Sequence, residues 1–122
     1  MNNENIEILN GLNARYEMLT EQLKLVEQQI SELTLFGEEL DVIKENKNAE
    51  ILAPIGKSVY ASVIVNTSKK LLVEIGAGYM VNKDIKETKE VIIEQKHRLE
   101  SFKIQILSEL DNLTNELQSL IV

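Results

Sequence analysis

The chain has 122 residues, of which 43% are hydrophobic and only 4% aromatic, and its net charge is −7. That length fits one domain, but so few aromatic side chains are thin material for a conventional globular core. The acidic balance argues against a nucleic-acid partner, which needs clustered Lys and Arg, and the absence of cysteine removes disulfides, Cys-zinc sites and thiol nucleophiles together.

The opening MNNENIEIL has no basic n-region and no apolar h-region, and no run approaches 18 apolar residues, so no membrane role and a cytoplasmic location are expected. From Leu9 the apolar positions run Leu12, Tyr16, Leu19, Leu23, Val26, Ile30 and Leu33, then Gly37 and Leu40. This alternation of three and four residues over about four heptads predicts a coiled-coil helix over about residues 4–46. A helix lying on a globular core shows a wider stripe. Most of the acid sits here: residues 1–45 hold 3 basic and 10 acidic side chains.

The middle changes period. In SVYASVIV, Val59, Ala61, Val63 and Val65 fall on one face and Ser58, Tyr60 and Ser62 on the other; in KLLVEI, Leu71, Val73 and Ile75 oppose Lys70, Leu72 and Glu74. That is strand alternation. Asn66–Lys69 reads as the turn joining these two strands. Shorter strands are predicted at Ile51–Ala53, with Pro54 and Gly56 turning the chain, and at Gly78–Val81, with Gly76-Ala77-Gly78 as the second turn ahead of Tyr79. Two hairpins over residues 50–82 result. Gly-Ala-Gly is not a phosphate loop, and Gly56-Lys57-Ser58 lacks the upstream glycine of one, since position 51 is Ile.

The last segment, residues 84–122, repeats the helical pattern through Ile85, Thr88, Ile92, Gln95, Leu99, Phe102 and Ile106, then Leu110, Leu113, Leu117 and Leu120. Two four-residue steps from 102 to 110 mark a stutter. The near-equal arms predict antiparallel pairing, with Lys83, Lys86, Lys89, Lys96, Arg98 and Lys103 set against Glu32, Glu38, Glu39, Asp41 and Glu45. If the arms use their seams on each other, the hairpins have nothing to pack on. Open strand edges of that kind need strands from other chains, so an obligate oligomer is expected. His97 is the only histidine, and neither a metal cluster nor a catalytic triad can be assembled around it; no enzyme activity and no cofactor are expected. At the free ends Ile6, Ile8 and Leu9 would meet Leu117, Leu120, Ile121 and Val122, apolar where helix ends usually turn polar.

The order of coil, two hairpins and coil resembles the α class of the prefoldin family, and EILAPIG followed by VEIGAGYMVNKD is similar to that family's two hairpin motifs. The chain departs from it at Lys57-Ser58, where the family usually has a further glycine-rich step. The resemblance implies an α+β fold in which two α-like and four β-like subunits join hairpins into a β-barrel platform carrying coiled-coil tentacles. It further implies an ATP-independent chaperone whose tips hold unfolded polypeptides and pass them to a group II chaperonin. Ile6, Ile8, Leu9, Leu117, Leu120, Ile121 and Val122 are then the expected client contacts. Val59, Ala61, Val63, Val65, Leu71, Val73, Ile75, Gly76, Gly78 and Tyr79 are the expected assembly residues. A second reading, of a different class, is a structural filament or scaffold built through hairpin edges.

Overall fold

The computed structural model describes residues 2–46, 48–65 and 70–121. Helix α1 spans Asn3–Glu45, strands β1 to β4 span Glu50–Gly56, Val59–Ile64, Leu71–Gly76 and Tyr79–Lys83, and helix α2 spans Ile85–Ile121. Neither helix contains proline, and each begins at a side-chain cap. The amide of Asn5 donates to Asn2 Oδ1 (2.8 Å), and at α2 the amide of Glu87 donates to Asp84 Oδ1 (2.7 Å) while the amide of Asp84 donates to Glu87 Oε1 (3.2 Å). The second arrangement is a reciprocal capping box, which satisfies two amides that the helix itself leaves unpaired. It fixes the sharp change from strand to helix between Lys83 and Ile85.

The chain divides into two compact units, residues 1–32 with 95–122 and residues 33–94. In the first, α1 and α2 run antiparallel: Arg15 pairs with Glu109 (3.0 Å) and Glu27 with Lys103 (3.6 Å), one number falling as the other rises. Leu19, Val26, Ile106 and Leu113 are buried between them, flanked by Leu12, Leu23, Ile30, Leu99 and Leu110. This is the coiled-coil seam. Tyr16, Gln95 and Phe102, expected in it, are exposed. Along α2 the covered positions are 85, 88, 89, 91, 92, 96, 99, 103, 106, 110, 113, 117 and 120; from 92 on they alternate steps of four and three without a break, so the stutter expected from 102 to 110 is not seen there. Lys96 and Lys103 are half-buried at seam positions, where a long aliphatic stem suits them, and the sequence pattern had placed Gln95 and Phe102 there instead.

In the second unit Leu40 and Ile43 of α1 are buried with Ile85 and Ile92 of α2, and Lys89 forms an ion pair with Asp41. Thr88 is buried at a seam position and its hydroxyl donates to the Asp84 carbonyl (2.8 Å), so its polarity is satisfied within its own turn. The expectation that the hairpins have nothing to pack on is corrected here. Ala49, Ile51, Val65 and Leu71, at the roots of the strands, pack on this cluster.

The four strands form two separate two-stranded antiparallel sheets, β1 with β2 and β3 with β4. β2 and β3 therefore belong to different hairpins and are not the two arms of one, as the turn-like Asn66–Lys69 suggested; those four residues lie outside the described ones. The strands also run longer than the alternation indicated, through Pro54 to Gly56 in β1 and to Lys83 in β4. The hairpins are copies of one plan. Ala53 faces Ala61, Leu52 faces Ser62 and Gly56 faces Val59; adding 20 to every number gives Val73 with Val81, Leu72 with Asn82 and Gly76 with Tyr79. Both carry an extra residue just before the turn, Ile55 and Ile75.

Candidate functional site

The surface at the chain ends belongs to the first unit. Carried outward from the Arg15–Glu109 pair, the antiparallel register sets residues 6–9 level with the closing turns of α2. Leu9, Leu117 and Leu120 are half-buried, as seam residues are, while Ile6, Ile8 and Ile121 are exposed, Ile121 by 71%. Val122 lies outside the described residues. Three large aliphatic side chains thus stand in water around a half-covered leucine floor. Such a surface has no hydrogen-bonding pattern to demand of a partner and accepts any apolar segment.

A second apolar feature of this unit was not expected from the sequence. Met18, Leu25, Val26 and Phe102, with Glu21, Gln22 and Gln29, line a shallow groove of about 530 Å³. Met18 and Leu25 stand one residue ahead of the seam residues Leu19 and Val26, so they form a stripe beside the seam with its seven-residue spacing. The signal lay in that repeat, which a search for one seam per helix passes over.

The hairpins of the second unit form the other candidate surface. Of the residues assigned to assembly, Ala61, Val65, Leu71 and Val73 are half-buried, and Val65 and Leu71 already serve the packing of the strand roots. Val59, Val63, Ile75 and Tyr79 are exposed. Cross-strand partners share a face, so Leu52, Pro54, Tyr60, Ser62 and Ile64 make up the opposite side of the first hairpin. That side is the more open one, with Leu52 exposed by 70% and Tyr60 and Ile64 exposed too; Leu72 and Met80 repeat the pattern in the second. On this side Ser62 Oγ donates to Glu50 Oε1. The turns differ. Ala77 and Gly78 both have positive φ, as a two-residue hairpin turn requires, and so do Lys57 (38°) and Ser58 (65°), where neither residue is glycine. Glu74 Oε1 accepts from the Gly78 amide (3.1 Å) and braces the second turn only.

His97 is exposed on α2, and among the described residues no group of three or more His, Cys, Asp or Glu is placed to hold a metal ion. No helix among them is long and apolar enough to cross a membrane. What the geometry provides is contact surface of two kinds, strand edges with apolar faces and coil ends with apolar side chains.

Two antiparallel helices with two hairpins between them define a coiled-coil subunit that presents strand edges. The family model for a prefoldin subunit matches residues 12–122, and the chain belongs to the prefoldin family. It is 25% identical to prefoldin subunit alpha of Methanobrevibacter smithii, covering 93% of this chain and 80% of that protein, and 28% identical to prefoldin subunit alpha of Archaeoglobus fulgidus, covering 85% and 87%. With prefoldin subunit alpha of Methanopyrus kandleri the identity is 33%, over 70% of this chain and 55% of the relative. The fold is also that of a filamentous prefoldin from Methanocaldococcus jannaschii solved by electron cryomicroscopy, with a TM-score of 0.79, 19% identity, and coverage of 94% of this chain and 96% of that one. Family membership carries a chaperone-type role in protein folding and assembly with other prefoldin subunits.

Proposed function

We propose that the chain is the α-type subunit of a cytoplasmic, ATP-independent holdase. It captures unfolded polypeptides on the apolar coil ends and passes them to a group II chaperonin, its hairpins joining those of β-like subunits, two α-like with four β-like. The observation that carries this reading is the set of exposed aliphatic residues Ile6, Ile8 and Ile121 around half-buried Leu9, Leu117 and Leu120. Each such contact is weak, but arms fixed to one platform raise the effective concentration of the next contact, so several together hold a client that none holds alone. Without nucleotide chemistry in the chain, release falls to competition by the chaperonin. The groove of Met18, Leu25 and Phe102 offers the same chemistry beside the seam.

The test is suppression of aggregation of a chemically denatured client, without nucleotide, by the chain assembled with a β-like partner. Ile6→Ser, Ile8→Ser and Ile121→Ser together are expected to lower protection severalfold while assembly, read by sedimentation, is unchanged. Full protection by that variant would move the client to the groove, where Met18→Ser with Phe102→Ser then abolishes holding. No protection by the unaltered assembly would overturn the reading. The filamentous prefoldin gives a second reading some weight, a scaffold growing through hairpin edges, which electron micrographs distinguish by open polymers in place of capped particles.

A further inference from the structure

A side chain two residues before or after a seam residue stands about 200° from it around a helix, on the side turned away from the partner helix. In the second unit the seam residues of α1 are Leu33, Gly37, Leu40 and Ile43, so Leu35, Glu38, Glu39, Val42 and Glu45 form its outer face. Seven, fourteen and twenty-one residues before Leu35 stand Gln28, Glu21 and Ala14, small or polar as an outer position requires. At Leu35 and Val42 the same position turns aliphatic, and each of these side chains is exposed by 57%.

The charge on this face is of one sign. Glu38 and Glu39 lie between the two aliphatic residues, and Glu45 follows beyond Val42. Among the described residues none of these three carboxylates has a hydrogen bond or an ion pair, whereas Asp41, nearer the seam, is spent on Lys89. Lys44 comes one turn after the seam residue Leu40 and so lies off the face. Unspent carboxylates beside Leu35 and Val42 exclude an anionic lipid surface and a nucleic acid. A second copy offering the same face would set carboxylate against carboxylate.

We propose that this outer face of α1 docks a basic amphipathic helix of a partner protein, which lies along α1 on the side away from α2. The occupant follows from charge complementarity and spacing. Leu35 and Val42 are seven residues and about 10 Å apart along the helix, the repeat at which two helices crossing at a shallow angle keep one side of each in contact. A partner with aliphatic residues seven apart packs beside both, and Lys or Arg three and four residues after the first of them meets Glu38 and Glu39. Glu45 carries the acidic border one turn further, so the partner's positive charge continues past its second aliphatic residue. The face asks for a formed, charged helix and not for an unfolded chain. It belongs to the other unit from the coil ends, so the proposal goes beyond client holding and does not rest on it.

The probe is a capped, fluorescently labelled peptide of three heptads, each Leu-Ala-Ala-Lys-Lys-Ala-Ala, and its binding to the full chain is read by fluorescence anisotropy. It is expected to bind, less tightly as salt is raised, and the same peptide with Glu in place of Lys is expected not to bind. Leu35→Ser with Val42→Ser is expected to weaken binding about tenfold, and Glu38→Lys with Glu39→Lys to abolish it, with helical circular dichroism unchanged in both. Glu100→Lys with Asp111→Lys, the same change of charge at exposed positions of α2, and the coil-end serine variant are expected to bind as the unaltered chain does. No binding by the unaltered chain overturns the proposal, as does an equal loss in Glu100→Lys with Asp111→Lys, which would reduce the effect to overall charge. Loss in the coil-end variant overturns it as well, because the peptide is then held as a client, and leaves the proposed function standing.

Discussion

Asp84 accepts the Glu87 amide from a position at the start of α2, and that hydrogen bond, aided by the charges of Lys70 and Lys86, holds its carboxyl below the usual aspartate pKa. A carboxylate with a depressed pKa stabilises the fold above its unfolded-state pKa, and the contribution is lost as pH falls through the folded-state value. Asp84→Asn keeps a capping oxygen but no titrating group. The stability difference between the two chains, followed by urea unfolding, is therefore expected to favour the native residue at neutral pH. It should vanish on acidification, as the pH falls through the ordinary aspartate range and below it. The first hairpin turn makes the opposite point, a residue pair poorly suited to its conformation. Lys57 and Ser58 both hold positive φ, which costs an ordinary L-residue about 1–2 kcal/mol. Replacing them by Asn-Gly, the pair this turn type favours, is expected to stabilise the second unit by about 1 kcal/mol, the added backbone freedom of glycine in the unfolded chain taking back part of the gain. A raised urea midpoint with unchanged slope would be the sign of it.

Among the elements, the helices test the seam directly. Ile106 is exposed by only 2% and Phe102 by 44%, although alternation in the sequence places both in the stripe. Ile106→Ala is expected to destabilise by about 2–5 kcal/mol, and Phe102→Ala by about 1 kcal/mol or less, measured as loss of helical circular dichroism on heating. Both helices, their antiparallel pairing and the second turn were legible because a seven-residue repeat and a Gly-Ala-Gly step report local geometry. The unbroken alternation beyond 92 was not legible, since half-buried Lys96 and Lys103 hold seam positions and count as polar. Strand partners were legible in part: two hairpins were expected and Gly76-Ala77-Gly78 marked the turn that pairs β3 with β4, while Asn66–Lys69 wrongly suggested a hairpin of β2 with β3. Alternation says that Val59–Ile64 and Leu71–Gly76 are strands, but pairing depends on which turn closes, and Lys57-Ser58 carries none of the glycine that usually marks one. The packing of the hairpin roots was not legible for a further reason: Val65 and Leu71 were read as assembly residues, and nothing in the strand alternation shows that they also pack on the cluster of Leu40, Ile43 and Ile85. At the chain ends, the reading named the exposed isoleucines and missed the groove beside the seam.

For the whole molecule, the proposed function puts holding and assembling in different units, so they are expected to fail independently: serines at the coil ends lower protection severalfold and leave sedimentation alone, and loss of the hairpins does the reverse. The unequal turns have one more consequence, in time and not in space. Hairpins close within about 1–10 μs when the turn is preorganised, and Ala77-Gly78, braced by Glu74, is nearer that state than Lys57-Ser58. During refolding the second hairpin is therefore expected to gain amide protection before the first. The ladder completed last is then that of β1 with β2, so β2, the strand without charge or proline, is also the one left longest unpaired and most open to stray pairing before folding ends.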